Sequence, residues 1–507
     1  MAVLLAGCAV GPDYHRPAVD MGQQYKEVKG WVQAKPAGVS LHDDWWRLYR
    51  DPVLDGLMHT LQDANLSVAQ SEAQYREARA ALESTRAGLF PTVGLSSSAA
   101  RAGGGTGQSG SSNFSGGGTS SSYVLSGTVT WEADLWGKVR RSVEAGQAEL
   151  QASAADVAAT RLSMESTLAQ DYFQLRALDA EKRMYQQTVA AYERSLKVTV
   201  NRYNAGVSAK ADVASAQTQL ENARAQMQAL EWQRAQYEHA IAVLIGKPPS
   251  RFSLAEAQSI GIVPIIPVGL PSQLLQRRPD VAAAERRTAE ANAKIGVAQA
   301  AWFPDLTLSA QGGFRSGEWV NWLTAPMRFW SLGPELAMTL FDAGARSAQV
   351  EQAQAAYDAQ VASYRLTALT ALREAEDYMV QLRVLARQQV TQNRALAAAR
   401  ESLRLTTNQY DAGLIDYLSV AVVQASTLST ERAALSVTVD RLVASVQLIA
   451  ALGGGWAPAP AMDTATIGAK AAPGSIGTAS TDVKEGTTSA GAGNGASVTQ
   501  GSAQEPR

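Results

Sequence analysis

Cysteine is nearly absent, with Cys8 alone in 507 residues, which excludes an internal disulfide and any thiolate metal cluster. Histidine is scarce too. His15, His42, His59 and His239 stand apart in the sequence and offer metal or general-base chemistry no constellation. Charge of one sign is also lacking: 45 Lys and Arg against 47 Asp and Glu leave a formal charge of -2. A nucleic-acid surface needs a basic excess, so no nucleic-acid partner is expected. Nowhere do 18 apolar residues run together; a membrane-spanning helix is excluded on that criterion, and any span would have to be a β-barrel. The glycine runs at Gly103 and Gly116 lack the Lys-Ser/Thr of a phosphate-binding loop. With no nucleophile, metal cluster or cofactor motif above background, neither an enzymatic activity nor a cofactor is expected.

What the sequence does hold is an internal repeat. Arg202-Tyr203-Asn204-Ala205-Gly206-Val207 matches Gln409-Tyr410-Asp411-Ala412-Gly413-Leu414 at an offset of 207, and the same offset relates Gln174-Leu175-Arg176 to Gln381-Leu382-Arg383 and Gly137 to Gly344. Upstream the offset becomes 213, as from Phe90-Pro91 to Phe303-Pro304. The interval where it changes holds a Gly/Ser tract from Gly103 to Ser122, loop composition that tolerates a change of length.

Each half carries two segments with strand character, roughly 92–100 and 123–131, then 305–314 and 329–341. About ten residues suits a tilted transmembrane strand. Aromatics gather at the segment ends. Phe90, Trp131, Trp136, Trp302, Phe303 and Phe341 form one level, and Trp319, Trp322, Phe329 and Trp330 the other, in the manner of interfacial girdles. Two soluble hairpins with aromatic cores would fit the segments equally well. If they span a membrane, four strands cannot close a barrel and an open edge is not tolerated in lipid. Three chains would supply twelve strands.

From Trp136 to Tyr203 no proline interrupts 68 residues, a helix of roughly 100 Å. Val143, Leu150, Val157 and Met164 recur every seven residues with Gly146, Ser153 and Thr160 between them, and Val350, Tyr357 and Tyr364 continue the pattern in the second half. This is coiled-coil patterning, with small residues permitting close approach. Shorter helices are expected at about 55–87, 210–245, 280–301 and 416–452, beside a second rod at about 343–410. Two short helices end to end would lie along each long one. The tail, rich in Ala, Gly, Ser and Thr, reads as disordered.

Residues Leu5-Ala6-Gly7-Cys8 resemble a bacterial lipobox, with 1–7 as a truncated signal peptide and Cys8 as the lipid attachment site. Ala9 in place of aspartate after Cys8 resembles the outer-membrane sorting pattern. Further strings carry a family resemblance over nearly the whole chain: Cys8-Ala9-Val10-Gly11-Pro12-Asp13-Tyr14 with Arg16-Pro17, Trp45-Trp46, Asp51-Pro52, Asn65-Leu66, the connector from Gly269 through Arg277-Arg278-Pro279-Asp280 to Arg286, and Ala300-Ala301-Trp302-Phe303-Pro304. The chain resembles the outer-membrane lipoprotein channels of resistance-nodulation-division (RND) efflux systems, the OprM/NodT group of the TolC superfamily.

That resemblance implies an α+β membrane protein: a homotrimeric twelve-stranded β-barrel, four strands per chain, continuous with a long α-helical coiled-coil barrel in the periplasm. Residues 8–54 and 247–279 would build an equatorial region. Repeats 55–246 and 280–453 would carry hairpins at about 91–133 and 304–341, and 454–507 would form the tail. The implied partners are a periplasmic adaptor (membrane fusion protein), an inner-membrane RND transporter and outer-membrane lipid through acylated Cys8. The Tyr-Asn-Ala-Gly and Tyr-Asp-Ala-Gly strings are helix C-caps in their own right. By resemblance they put adaptor-contacting tips at Gly206, Val207, Gly413 and Leu414. The same likeness places a periplasmic gate at Asp416, with Tyr410, Tyr203 and Arg202 beside it. Asp416 equally suits a helix N-cap. The function expected is passive export of drugs or other small toxic compounds. A type I protein-secretion duct shares the architecture, and a cytosolic coiled-coil tether is the remaining alternative.

Overall fold

The computed structural model describes residues 9–20, 22, 25–27, 44–103, 119–266 and 277–456. Cys8 and the segment 1–7, most of the Gly/Ser tract, most of the connector and the tail from 457 lie outside the described residues. The described residues all belong to one compact unit. Its elements run α1 (Pro52–Ala64), α2 (Leu66–Ala87), β1 (Thr92–Gly103), β2 (Thr119–Ala133), α3 (Lys138–Asn204), α4 (Lys210–Leu244), α5 (Pro279–Ala300), β3 (Asp305–Ser316), β4 (Arg328–Ala337), α6 (Ala345–Asp411) and α7 (Tyr417–Ala451). The repeat is exact at the level of these bounds. An offset of 207 carries α3 and α4 onto α6 and α7, and 213 carries α2 and β1 onto α5 and β3.

One expected helix is divided. The segment 55–87 does not run as a single helix, because Asn65 adopts an extended backbone and caps α2, accepting from the Val68 amide at 3.0 Å. Its Nδ2 also donates to the Leu244 carbonyl at 2.7 Å, tying the start of α2 to the end of α4. With the break at Asn65, α2 has 22 residues, the same as α5.

The ends of the short helices meet at two matched glycines. Gly246 has φ +68°, and a Cβ there would lie 2.3 Å from the Ala64 carbonyl oxygen; Gly453 has φ +95° and a Cβ would lie 2.1 Å from the Arg277 carbonyl oxygen. Only glycine satisfies both the left-handed backbone and the close approach. Arg278 Nη1 reaches the Ala451 carbonyl at 3.4 Å, as Asn65 reaches Leu244 in the first half.

The long helices, 67 residues each and about 100 Å long, differ in their surroundings. α3 packs against α1, α2, α4, α5 and α7, whereas α6 packs against α5 and α7. These neighbours require close approach, so small residues are buried along the upper part of α3, at Ala145, Ala148, Ala152, Ser153 and Ala155. The heptad residues Val143, Leu150, Val157 and Met164, expected as the seam, are only half-buried. On α6 the pattern holds at Tyr364, fully buried, while Val350 and Tyr357 are half-buried.

Midway along the helices Trp45, Trp46, Tyr49, Tyr172, Phe173 and Tyr364 join Leu442, Leu448 and Ile449 in the largest core. α7 modifies the expectation about membrane helices. It contains an 18-residue window of mean hydropathy 1.5, long and apolar enough to span by composition, yet half of that window is buried inside the chain. Its apolar residues serve the core.

The four strands form one antiparallel sheet in the order β1-β2-β3-β4. Within the chain, and among the described residues, the outer edges of β1 and β4 have no strand partner.

Candidate functional site

The sheet register separates two chemistries. Directly opposed residues share a face. One face reads Val93 beside Val129 beside Ala310 beside Leu332, flanked by the rows Trp131-Leu308-Pro334 and Gly127-Gly312-Trp330. The other reads Thr92-Thr130-Ser309-Gly333, with Thr128-Gln311-Ser331 and Glu132-Thr307-Glu335 alongside. Among the described residues nothing covers the apolar face at its edges: Val93 is 78% exposed, Leu332 76% and Trp330 81%. A soluble hairpin would bury that face. An apolar outside and a polar inside are what a membrane barrel around water requires.

At the far end from the helices Tyr123, Trp319 and Trp322 cluster, with ring centres 5.3 to 6.4 Å apart. Phe329 does not belong to that girdle. Opposed to Gly313, it stands on the polar face under the Arg315 guanidinium, 4.9 Å from its ring centre. Alternation along β4 puts Trp330 outside and therefore Phe329 inside. At the helix-proximal end Trp136 stacks on Phe303 at 4.8 Å and donates to the Pro304 carbonyl at 2.8 Å. Asp134 accepts from the Val139 and Arg140 amides, and Asp342 from the Gly344 and Arg346 amides, so a carboxylate caps each long helix where it leaves the sheet.

The N-terminal residues run beside this junction. The Val10 amide donates to the Trp136 carbonyl at 3.0 Å, Gly11 crosses α5 at Gly296, and Arg141 reaches the Val10 and Gly11 carbonyls and Asp13. Further along, Tyr14 donates to Glu285 at 2.6 Å and Arg16 to the Tyr364 hydroxyl at 3.0 Å. Arg383 holds Glu27, while its repeat counterpart Arg176 holds the Ala255 carbonyl and buried Asp179.

At the opposite ends of α3 and α6 both helices close in the same way. Val207 donates to the Arg202 carbonyl and Gly206 to Tyr203; Leu414 donates to Gln409 and Gly413 to Tyr410. Gly206 and Gly413 each have φ +77°. These are Schellman caps. The turns leave Val207 and Leu414 at 72% and 75% exposure, an apolar residue at each tip.

Two of the four expected gate residues come together. The Arg202 guanidinium lies 4.1 Å from the Tyr410 ring centre and donates to the Tyr410 and Asp411 carbonyls. Tyr410 itself is buried, its hydroxyl 2.9 Å from Thr199 Oγ1 and its ring 5.9 Å from Tyr417. Tyr203, its repeat counterpart, is 42% exposed and stands outside this network. Asp416 caps α7, accepting from the Ser419 amide at 3.1 Å and hydroxyl at 2.6 Å; those bonds hold its carboxyl below the usual range. Asp212 does the corresponding work for α4, accepting from Ser208 and the Ala209 amide. Neither Asp212 nor Thr199 was singled out from sequence. An acidic residue in the first turn after the Asn204–Ser208 turn is the signal that would have found the former.

Residues 57–247 and 270–454 match the family model described as outer membrane efflux protein. The chain is 29% identical over 469 residues to the antibiotic efflux pump outer membrane protein ArpC of Pseudomonas putida, covering 90% of this chain and 94% of that one. It is 28% identical over 456 residues to a protein named as a probable outer membrane lipoprotein, SilC of Salmonella typhimurium, covering 89% and 97%. The solved outer-membrane channel OprN superposes with a TM-score of 0.81 at 30% identity, over 89% of this chain and 100% of that one. In this fold three chains close their four-stranded sheets into one barrel, continuous with a barrel of helices. The apolar outer face, the polar inner face and the long paired helices thus find one explanation: the chain belongs to the outer membrane efflux protein family and is an outer-membrane exit duct.

Proposed function

We propose that a trimer of this chain is the last section of a tripartite pump, passing antibiotics or other small toxic compounds outward without chemistry of its own. The observation that carries this reading is the two-faced sheet continuous with two 67-residue helices. In the proposed assembly the tips at Gly206, Val207, Gly413 and Leu414 receive a periplasmic adaptor, which links them to an inner-membrane RND transporter. The matched exposure of Val207 and Leu414 supports this, since an apolar residue at the end of a helical hairpin invites a partner. Arg202, Tyr410, Tyr203 and Asp416 are proposed as the periplasmic gate. Three copies of Asp416 near one axis would repel, so the closed state would need cations or hydrogen bonds between chains.

Cys8 is proposed as an acylated anchor. The lipobox-like Leu5-Ala6-Gly7-Cys8 supports it, as does the name of SilC. So does the position of Ala9 against Gly137, at the base of the sheet where acyl chains would enter the bilayer.

The test is deletion of the gene, which should raise drug accumulation severalfold and be reversed by the intact chain. Cysteines placed at Val207 and Leu414 should cross-link to an adaptor of the periplasm. Cys8→Ser should lose palmitate labelling. Unchanged accumulation would overturn the pump reading, and persistent labelling the anchor.

A further inference from the structure

The apolar face of the sheet differs between its two ends. Toward the helices it ends in Val93, Trp131, Leu306 and Leu336, without charge. At the far end two arginines enter the same face: Arg101 on β1, opposed to Ser121, and Arg328 on β4, opposed to Phe314. Both are exposed. Arg328 donates through Nε to the Ala325 carbonyl at 3.1 Å. This end of the sheet holds Arg101, Arg315 and Arg328 against a single carboxylate, Glu318, and the tract from 104 to 118 adds no charge. Trp330 stands two residues from Arg328 on the same face, and Tyr123 shares that face near Arg101.

An arginine facing hydrocarbon is costly at mid-membrane and tolerated at the interface, where its guanidinium extends toward headgroups. The aromatic cluster marks that level. A guanidinium offers a planar fork of donors that matches a phosphate monoester. β1 and β4 are moreover the edges that meet when neighbouring chains close the barrel, so both arginines border the seam. We propose that this end of the apolar face binds the phosphate groups of an anionic glycolipid of the outer leaflet, a phosphorylated, acylated glucosamine disaccharide of the lipid A type. The site rests on the barrel lying in the outer membrane with its helices on the periplasmic side. The bound lipid covers the seam on its lipid-facing side.

The experiment uses purified trimer in detergent, incubated with diphosphorylated lipid A or with the same lipid after enzymatic dephosphorylation, and reads bound lipid by native mass spectrometry. The unaltered protein is expected to retain the phosphorylated form about tenfold or more in excess, two guanidinium contacts being lost with the phosphates. The double variant R101Q/R328Q should lose that preference while retaining phosphatidylethanolamine as before, and R101K/R328K should keep part of it. Equal retention of the two lipid A forms by the unaltered protein overturns the proposal. So does an undiminished preference in R101Q/R328Q, or equal retention of phosphatidylglycerol. Should the double variant fail to form trimers, the comparison of lipids on the unaltered protein decides.

Discussion

Arg202 on α3 and Tyr410 on α6, 208 residues apart, are joined twice: the guanidinium stacks 4.1 Å from the tyrosine ring centre and also donates to the tyrosine's own carbonyl. That carbonyl is among the last of α6, where a cation is favoured by the helix dipole. One side chain thus fastens the ends of the two long helices, at the tips proposed to gate the duct. Arg202→Ala should remove about 1 to 2 kcal/mol of this attachment and raise single-channel conductance severalfold in planar bilayers. Tyr410→Phe loses only the bond to Thr199, about 1 kcal/mol, and should open the tip less. Conductance indistinguishable from the unaltered protein in both variants would exclude the pair from gating.

Asp416 combines a helix cap with a charge, and the two can be separated. Asp416→Ala removes both; Asp416→Ser keeps a capping oxygen, whose loss typically costs about 1 kcal/mol, and removes only the charge. If the carboxylates restrain the aperture, both variants should raise conductance and drug sensitivity. If Asp416→Ser behaves as the unaltered protein while Asp416→Ala does not, the residue acts through the cap alone.

The glycine junctions carry a prediction about stability. At Gly246 and Gly453 an alanine would suffer both a left-handed backbone and a Cβ within 2.3 Å of a carbonyl oxygen. Each substitution should therefore cost several kcal/mol, in the range of the more damaging single changes. Gly206→Ala meets the same backbone region but open space, and should cost only about 1 kcal/mol. Trimer melting temperatures for the three variants would rank them; equal losses would contradict the close approach.

Much of this was legible before any coordinates. The offset of 207 gave the bounds of four helices, because long uninterrupted helices keep register and leave no room for insertions. The glycines after Tyr203 and Tyr410 announced the turns. The break at Asn65 was not legible, because asparagine inside an apolar pattern is tolerated and its second role, at Leu244, comes from a contact distant in sequence. Phe329 was misplaced for a related reason: aromatics cluster at strand ends on both faces, and only the pairing register tells which face one occupies. The Arg202–Tyr410 contact lies beyond sequence periodicity altogether, since it joins the ends of two different helices.

Asp171 offers a pH test. Burial on α3 pushes its carboxyl up to about 6 from 3.8. The folded chain then holds this proton more tightly than the unfolded one, so the contribution to stability is full below about pH 4 and is lost as the pH rises through 6. Asp171→Asn should stabilise the protein at pH 7.5 by about 1 kcal/mol after allowance for solvent screening, with the gain shrinking between pH 6 and pH 4. A gain that does not change with pH would show that burial of charge is not its source.

The account depends most on the two faces of the sheet, and cysteine labelling along β3 reads them directly. In a Cys8-free chain in intact cells, single cysteines at Thr307, Ser309 and Gln311 should react with a charged, membrane-impermeant maleimide entering the lumen from outside. Cysteines at Leu306, Leu308 and Ala310 should be protected by lipid. Alternation with a period of two residues is the predicted result; uniform labelling, or the reverse alternation, would contradict a water-filled duct through the outer membrane.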